Sequence, residues 1–412
     1  MEKIIKNTII QGEVSAPPSK SQTIRAFAAS SLCSSESIIN NYSDCDDALA
    51  ALGIIKALGS ELEFFDDYVK IIRKSPPIKN ILNCRESAFC LRLFSAIASI
   101  YDTEFEFVAE KTLLKRKTGD IEDVLKSLGV ECKTDNGFPP IKVRGHIKGG
   151  NIKIDCSISS QLLSGLLFSL PLANSDSIIE ASNLKSKPYI DMTLDILSRF
   201  KVEIKNENYK RFIIKGGQNY YPVELTIEGD WSCASNFLVA GAIAGQLSIS
   251  NLNLNSFQGD KIIFDILKKT GADVNHKNGL IHVSSGKLKS FDFDAGDCPD
   301  LVPILAVLGC YCEGTSGISD ISRLAGKESS RAEIIASELN SVGGKIQIEH
   351  NVMFIENAEL RGGTVNSHGD HRIAMALAVS GLKASSTVTI KDAECVSKSY
   401  PDFWKDFERL LQ

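Results

Sequence analysis

The feature that most constrains the fold of this chain is a pattern that recurs about every 70 residues. Each copy reads as an amphipathic helix, a short break, a strand, a polar turn and a second strand. Complete copies lie at 54–72, 123–143, 195–215, 265–283 and 336–355. Successive breaks are 70, 72, 70 and 72 residues apart, at Gly59, Gly129, Lys201, Gly271 and Gly343. This regularity predicts repeated supersecondary units.

Six such units would fill the 412 residues, but only five are complete. The last predicted helix, Phe403 to Leu411, has no strand behind it, and the strand-like segment Lys3–Val14 has no helix before it. We therefore expect the sixth unit to close through both termini. Because helices and strands alternate throughout, both domains should be α/β. The predicted domains are one formed by 1–18 and 229–412, and an inserted one formed by 19–228.

Composition excludes several classes of protein. No apolar run approaches the ~20 residues of a membrane helix, and the N-terminus lacks the apolar core of a signal peptide, so we expect a cytoplasmic protein. Eleven cysteines without a CxxC pair and six scattered histidines indicate buried thiols and no metal site. A net charge of −5 argues against binding to nucleic acid, which favours a basic surface.

Polar clusters stand at the predicted start of successive helices. In the first, 18–25, hydroxyl groups suited to capping accompany Lys20 and Arg25, and a helix N-terminus with such cations can bind an anion. Similar clusters occur at 86–92, 155–161, 186–189, 297–300, 327–331, 369–372 and 398–402. Each alone can be a capped helix or a surface ion pair. If the helices of a domain are parallel, however, their N-termini face one way and create an electropositive cleft.

Seven motifs, in order and with matching spacing, resemble the 5-enolpyruvylshikimate-3-phosphate synthase family. They are PSKSQTIRA (in 17–26), SISSQLLSGLL (157–167), SKPYIDMTL (186–194), CPD (298–300), KESSR (327–331), GDHRIAMA (369–376) and KSYPDF (398–403). The resemblance spans nearly the whole chain. It implies the two-domain α/β enolpyruvyl transferase fold, an inside-out α/β barrel with three βαβαββ-type units in each domain. It also implies an active site in the cleft between domains that close, and no metal or organic cofactor.

The reaction that the resemblance implies joins two small molecules. The enolpyruvyl group of phosphoenolpyruvate is transferred to the 5-hydroxyl of shikimate-3-phosphate through a tetrahedral adduct, with release of phosphate. This step belongs to the shikimate pathway to chorismate and the aromatic amino acids. The resemblance implies no nucleic-acid or membrane partner, and a monomer.

The resemblance also implies roles for individual residues. Shikimate-3-phosphate binding falls to Lys20, Ser21, Arg25, Ser159, Ser160, Gln161, Ser186, Tyr189, Asp300 and Lys327. Phosphoenolpyruvate binding falls to Lys20, Arg92, Gln161, Arg331, Arg372 and Lys398. Asp300 takes the proton of the sugar hydroxyl, and Glu328, with Lys20, protonates the methylene carbon. Because both substrates are multiply anionic, several fixed cations are needed to bring them together.

The chain departs from the family pattern at several positions, most of them in its first half. Glu86-Ser87-Ala88-Phe89 stands where the family has Asn-x-Gly-Thr, and Arg323 replaces a family asparagine. A family arginine near phosphoenolpyruvate aligns with Thr112, so another cation has to substitute for it: Lys111, Lys115 or Arg116. The methyl group of Ala88, in place of glycine, should crowd the pocket that glyphosate shares with phosphoenolpyruvate. We therefore predict reduced sensitivity to glyphosate.

Three other functions make different demands on the sequence. The related enolpyruvyl transferase that acts on UDP-N-acetylglucosamine has asparagine directly after its early lysine and a reactive cysteine in a flexible loop. Here Ser21 follows Lys20, and the corresponding loop, residues 112–120, contains no cysteine. Both differences argue against that enzyme. A noncatalytic anion-binding relative should have lost at least one residue among Lys20, Asp300, Glu328 and Arg372, and all four are present. A cyclase of RNA ends would need a basic face, which a net charge of −5 does not favour.

Overall fold

The repeat predicted from the sequence is present as six small β-sheets and twelve α-helices. The structure, a computed structural model, describes all 412 residues. By its internal contacts the chain divides into unit 1, Met1–Pro17 with Glu228–Gln412, and unit 2, Pro18–Ile227. The α/β class is confirmed. The location of an active site between two domains stays a prediction.

Helices and strands alternate along the whole chain. The helices are α1 Lys20–Ser31, α2 Asp46–Ala57, α3 Ala88–Ala98, α4 Ile121–Ser127, α5 Gln161–Ser169, α6 Lys187–Arg199, α7 Trp231–Ala244, α8 Ile263–Thr270, α9 Val302–Cys310, α10 Arg331–Ser341, α11 His371–Ser380 and α12 Phe403–Arg409. The strands are β1 Lys3–Ile5, β2 Ile10–Ser15, β3 Ser37–Asn40, β4 Ser60–Phe64, β5 Tyr68–Arg73, β6 Ile81–Asn83, β7 Phe105–Val108, β8 Glu131–Asp135, β9 Phe138–Arg144, β10 Asn151–Asp155, β11 Ser177–Ser182, β12 Ile204–Glu207, β13 Arg211–Ile214, β14 Glu224–Thr226, β15 Gly245–Ser250, β16 Asp273–Lys277, β17 Leu280–Ser284, β18 Asp292–Asp294, β19 Thr315–Ser319, β20 Lys345–Glu349, β21 Val352–Glu356, β22 Gly363–Asn366 and β23 Val388–Lys391.

Three repeats are continuous in sequence and show the βαβαββ order in full. They are β6-α3-β7-α4-β8-β9, β10-α5-β11-α6-β12-β13 and β18-α9-β19-α10-β20-β21. In each, the first two strands pair in parallel and the last two form an antiparallel hairpin. The order that the family resemblance implies is therefore confirmed.

The other three repeats take a strand from elsewhere in the chain. β2 pairs in parallel with β15 but leads into α1, and β14 pairs in parallel with β3 but leads into α7. The sixth sheet has three strands, β1-β23-β22, so the N-terminus completes it as predicted. The segment Lys3–Val14, expected as one strand-like element, is instead two strands in two sheets. Between them Asn7 and Thr8 hydrogen-bond to the chain near Leu382, which turns the backbone from one sheet to the next.

The five predicted breaks are the points where the second helix of a repeat ends. All five have left-handed backbone, with φ of 101°, 80°, 64°, 98° and 99° at residues 59, 129, 201, 271 and 343. Glycine is preferred there because it has no Cβ to clash. Lys201 adopts the same conformation, which explains how it can occupy a glycine position in the repeat.

The first helix of each repeat is buried and the sheets lie outside it. In unit 1, α7, α9 and α11 pack against one another, and every residue of α9 and α11 is buried. In unit 2, α3 is wholly buried and packs against α5. Such helices need small or apolar residues on all faces, as in VPILAVLGC of α9. No helix has the length and apolarity that crossing a bilayer requires.

This arrangement decides where functional side chains can gather. The first helix of a repeat follows the first strand of a parallel pair, so its N-terminus lies at the carboxyl end of that strand. Side-chain caps begin four of the six: Ser19 for α1, Ser87 for α3, Asp230 for α7 and Asp370 for α11. The polar clusters singled out in the sequence are therefore the strand-to-helix junctions of the repeats.

Candidate active site

Arg331 is the centre of a charged cluster in unit 1. Its side chain is 1% exposed and donates to three carboxylates: Nη1 to Asp300 Oδ1 at 2.8 Å, Nη2 to Glu328 Oε2 at 2.8 Å and Nε to Asp370 Oδ2 at 2.9 Å. A surface ion pair between Glu328 and Arg331, an alternative reading of their spacing, is excluded by this burial. We define the unit 1 cluster as Asp300, Lys327, Glu328, Arg331, Asp370, Arg372 and Lys398.

Asp300, which precedes α9, is surrounded by cations. Arg331 contacts its Oδ1, Lys327 Nζ lies 3.4 Å from the same oxygen, and Arg372 Nη2 lies 3.5 Å from Oδ2. Burial alone would raise the pKa of this carboxyl, but the three cations outweigh it and hold the pKa well below its usual range. Asp300 is therefore ionised in the unliganded protein.

Arg372 is buried at the start of α11 with its hydrogen-bonding capacity only partly used. Its Nη1 donates to the Cys233 sulfur at 3.7 Å and its Nη2 makes the long contact with Asp300. Its Nε is buried without a hydrogen-bond partner. A buried donor of this kind is costly, so Arg372 is a strong candidate to receive an anionic ligand.

Glu328 and Lys398 complete the cluster. Lys398 Nζ lies 3.8 Å from Glu328 Oε1, and both side chains are largely buried. Glu328 thus lies between two cations, since its other oxygen accepts from Arg331. The predicted proton donor is placed beside the cations predicted to bind phosphoenolpyruvate.

No role for Asp370 is predicted from the sequence, although this residue lies within the GDHR motif. Asp370 is fully buried, caps α11 through the Arg372 backbone N–H at 3.0 Å, and accepts from Ser329 Oγ at 3.1 Å. With its bonds to Arg331, it fixes the two arginines relative to each other. An acidic residue directly before the predicted helix, at the N-cap position, is the signal that could have identified it.

In unit 2, Arg25 is a buried cation without a carboxylate within 4 Å. Its guanidinium donates to the Ser21 carbonyl at 2.8 Å, the Tyr189 carbonyl at 3.1 Å and the Thr193 hydroxyl at 2.8 Å. It also lies 4.4 Å from the centre of the Phe89 ring. Burial lowers the pKa of Arg25 to about 9, which leaves it charged at neutral pH. An uncompensated buried cation is a favourable position for a phosphate.

Arg92 and Gln161, both predicted to contact phosphoenolpyruvate, bind each other. Arg92 Nη1 donates to Gln161 Oε1 at 2.8 Å, and its other nitrogens donate to the Lys117 and Thr118 carbonyls at 2.7 and 3.2 Å. The side chain is buried. A surface salt bridge, the ordinary expectation for a lone arginine here, is therefore wrong.

The remaining predicted residues of unit 2 begin helices. Lys20 is the first residue of α1, and its Nζ pairs with the buried Asp47 at 3.1 Å, a partner that sequence reasoning missed. Ser159 Oγ accepts from the Gln161 N–H at 3.2 Å, whereas the hydroxyl of Ser160 makes no capping bond. Ser186 has left-handed backbone, with φ 56°, just before α6.

Two departures from the family pattern contact each other. Glu86 Oε1 accepts from the backbone N–H and the hydroxyl of Thr112, at 3.2 and 3.0 Å, and Lys111 Nζ lies 3.3 Å from Glu86 Oε2. Lys111 is thus held by Glu86 and partly neutralised. Ala88 is buried as the first residue of α3, and Arg323 Nη1 donates to the Gly296 carbonyl at 3.3 Å.

Each unit has buried helices surrounded by small repeated sheets, and buried cations lie where its strands lead into helices. These features define the fold class of the enolpyruvyl transferases. An EPSP synthase from Acinetobacter baumannii superposes with a TM-score of 0.84 at 24% identity, covering 100% of this chain and 98% of that chain. The enolpyruvyl transferase NikO from Streptomyces tendae does so with a TM-score of 0.79 at 17% identity, covering 100% and 97%. At such identities the likeness shows the fold.

Sequence comparison identifies the family. A family model described as EPSP synthase (3-phosphoshikimate 1-carboxyvinyltransferase) matches residues 4–407. Relatives named 3-phosphoshikimate 1-carboxyvinyltransferase are 38% identical in Clostridium beijerinckii, over 97% of this chain and 95% of the relative, and 39% identical in Clostridium kluyveri, over 98% and 96%. The chain belongs to the EPSP synthase family, and its activity is that of this transferase in aromatic amino acid biosynthesis. The activity predicted from the sequence is confirmed.

Proposed function

We propose that the predicted site residues bind phosphoenolpyruvate and shikimate-3-phosphate and carry out the transfer through a tetrahedral adduct. The observation that supports this most is the composition of the unit 1 cluster. Four cations, Lys327, Arg331, Arg372 and Lys398, converge on three carboxylates, and the guanidinium of Arg372 has a buried donor to spare. Such a cluster has the charge and the donors to accept a substrate that carries both a carboxylate and a phosphate.

Phosphoenolpyruvate would bind by exchange of ion pairs. Arg372 makes a long ionic contact, at 3.5 Å from Asp300, and has an unused buried donor, so it loses little when an anion replaces the protein carboxylate. Arg331 makes shorter bonds and is held by Asp370, so it orients the incoming anion while keeping a carboxylate partner. The Arg92–Gln161 pair and Lys20 supply the corresponding contacts in unit 2.

The same exchange would activate Asp300 as a base. While Lys327, Arg331 and Arg372 face it, the low pKa of its carboxyl makes Asp300 a weak base. When substrate anions draw these cations away, the pKa rises and Asp300 can accept the proton of the 5-hydroxyl. Substrate binding thus supplies the base strength that the unliganded protein lacks.

Glu328, with Lys20, would handle the proton at the methylene carbon. Protonation of that carbon places positive character on the central carbon, and the 5-oxygen forms its bond there as Asp300 takes the hydroxyl proton. The tetrahedral adduct then returns one proton of its new methyl group to Glu328, and the carbon–oxygen bond to phosphate breaks as Asp300 gives the proton that it took to the departing phosphate. Enolpyruvyl product and phosphate are released, and the two carboxyl groups return to their starting states.

Shikimate-3-phosphate would be held mainly by unit 2. Arg25, with its unmatched charge, suits the phosphate, and Ser21 and Tyr189 are already tied to it through their carbonyls. Ser159, Ser160, Gln161 and Ser186 stand at helix starts, where hydroxyl, amide and backbone N–H groups can bind phosphate or sugar oxygens. We further propose that Asp300 and Lys327 contact this substrate, that the domains close during the reaction, and that the protein acts as a cytoplasmic monomer.

Phosphate release from phosphoenolpyruvate tests these roles. Release by the wild type should require shikimate-3-phosphate, and UDP-N-acetylglucosamine should not replace it. Asp300→Asn should lower kcat by at least 100-fold, because a general base contributes about 10²–10⁴-fold. Asp402→Asn, which changes an exposed carboxylate before α12, is the matched control and should behave as wild type. Full activity of Asp300→Asn would refute the role of this residue.

A further inference from the structure

Asp260 is a buried carboxylic acid in unit 1 to which the proposed reaction gives no role. It lies in the short turn that leads into α8, is 1% exposed and accepts a hydrogen bond from the Ser232 hydroxyl through Oδ2. Its other oxygen, Oδ1, is buried without a conventional hydrogen-bond partner, and the further donor beside this carboxyl is the Cys298 thiol, which is a weak one. An ionised carboxylate with a bare buried oxygen would be strongly disfavoured, so this environment favours the neutral acid.

The groups that face Asp260 come from three other helix starts. Ser232 and Asp230 belong to the start of α7, Cys298 and Asp300 precede α9, and Arg372 is on α11. Burial first, and the negative charge of Asp300 second, raise the pKa of Asp260 to about 7, while Ser232 and Arg372 act in the opposite direction. Burial and the charge of Asp300 both favour the neutral acid at Asp260, beside the ion pair of Asp300 with Arg372.

A second unsatisfied group belongs to the same cluster. The Nε donor of Arg372 lacks a hydrogen-bond partner, and Asp230, Asp260 and Asp300 all act on its charge. If Asp260 ionises, Arg372 is attracted by one more buried carboxylate. A substrate anion then has to compete with a stronger internal partner for the same guanidinium.

We propose that Asp260 is a positioning residue for Arg372, and that its buried carboxyl, in the neutral form, leaves the guanidinium available to phosphoenolpyruvate. Ionisation of Asp260 draws Arg372 toward the protein and weakens substrate binding. The inference rests on the proposed role of Arg372 in binding phosphoenolpyruvate. It adds a residue that acts through Arg372 and does not touch the substrate.

The test is the pH dependence of KM for phosphoenolpyruvate between pH 6.0 and 8.5. In the wild type this KM should rise with pH at least threefold more than in Asp260→Asn, whose side chain stays neutral. Ionisation of the substrate affects both proteins equally and cancels in the comparison. Asp265→Asn, an exposed carboxylate in the first turn of α8, is the matched control and should follow the wild type. Identical profiles for wild type and Asp260→Asn would overturn the proposal.

A second variant keeps the proposal testable if Asp260→Asn does not fold. Ser232→Ala removes a hydrogen bond that favours the ionised form of Asp260, so the rise in KM should move to higher pH. An unshifted or lowered midpoint would contradict the proposal. Arg372→Lys separates it from the site assignment, since KM should rise at every pH. If Arg372→Lys leaves the KM for phosphoenolpyruvate unchanged, Arg372 does not bind this substrate and the site assignment fails. If Arg372→Lys raises KM but the Asp260 and Ser232 variants keep the wild-type pH profile, only the positioning role of Asp260 fails.

Discussion

Asp370→Asn should destabilise unit 1 much more than its conservative chemistry suggests. The carboxylate is fully buried and accepts from Arg331 Nε at 2.9 Å, Arg331 Nη2 at 3.2 Å, Ser329 Oγ at 3.1 Å and the Arg372 N–H at 3.0 Å. Asparagine is as good a helix cap as aspartate, so the cap on α11 can survive. The bidentate ion pair with Arg331 cannot survive, because the amide group has no charge and one of its ends is a donor.

The expected magnitude follows from these contacts. Breaking a buried ion pair by removing one partner costs about 3–5 kcal/mol. Arg331 keeps Asp300 and Glu328 as partners, so we expect the lower end, about 3 kcal/mol. With a urea dependence of about 2 kcal/mol per molar, the unfolding midpoint should fall by about 1.5 M.

Tryptophan fluorescence during urea unfolding is a suitable assay, because both tryptophans, Trp231 and Trp404, lie in unit 1. Asp402→Asn is the matched control: it makes the same substitution just before a helix, at an exposed residue whose side chain makes no capping bond. It should shift the free energy of unfolding by less than about 0.5 kcal/mol. If Asp370→Asn costs less than about 1 kcal/mol, the ion-pair account of the cluster is wrong.

Two further predictions concern unit 2. Shikimate-3-phosphate at about 100 times its Kd should stabilise the wild type against thermal unfolding by about 2.7 kcal/mol. At the same concentration, Arg25→Lys should lose most of this stabilisation. An equal shift of the melting temperature in both proteins would exclude Arg25 from the phosphate site. Ala88→Gly should lower the glyphosate concentration for half-inhibition by at least about fivefold, since relief of crowding by one methyl group is worth about 1–3 kcal/mol. The KM for phosphoenolpyruvate should change less; inhibition of the wild type at low micromolar glyphosate, with phosphoenolpyruvate near its KM, would contradict this prediction.

Much of the fold could be predicted because its signals are local. A helix that ends in a residue with left-handed backbone favours glycine at that residue, and four of the five breaks are glycines. The entirely apolar α9, and the apolar run Ile373–Val379 within α11, likewise indicate burial on all sides. The division of Lys3–Val14 into two strands was missed because the bonds that separate them come from residues more than 370 positions away.

The residues of the site could be predicted from the sequence better than the contacts between their side chains could. Lys327, Glu328 and Arg331 share one motif, but their spacing equals that of a surface ion pair. Only the fold brings Asp300, from the other helix start of the same repeat, and Asp370, from another repeat, to the same guanidinium. Asp260 gave no signal at all, since one acidic residue after a glycine is common in loops. Its environment depends on three separate helix starts, which a pattern along the chain does not reveal.

The most direct test of the account is deuterium incorporation at the methylene carbon of phosphoenolpyruvate during turnover in D2O. Addition and removal of that proton are the proposed role of Glu328, next to Arg331 and Lys398. For the wild type we expect deuterium in the product and in recovered phosphoenolpyruvate, only when shikimate-3-phosphate is present. For Glu328→Gln we expect none above background. Incorporation by Glu328→Gln at the wild-type rate would show that the proton comes from elsewhere and that the cluster does not do the chemistry described.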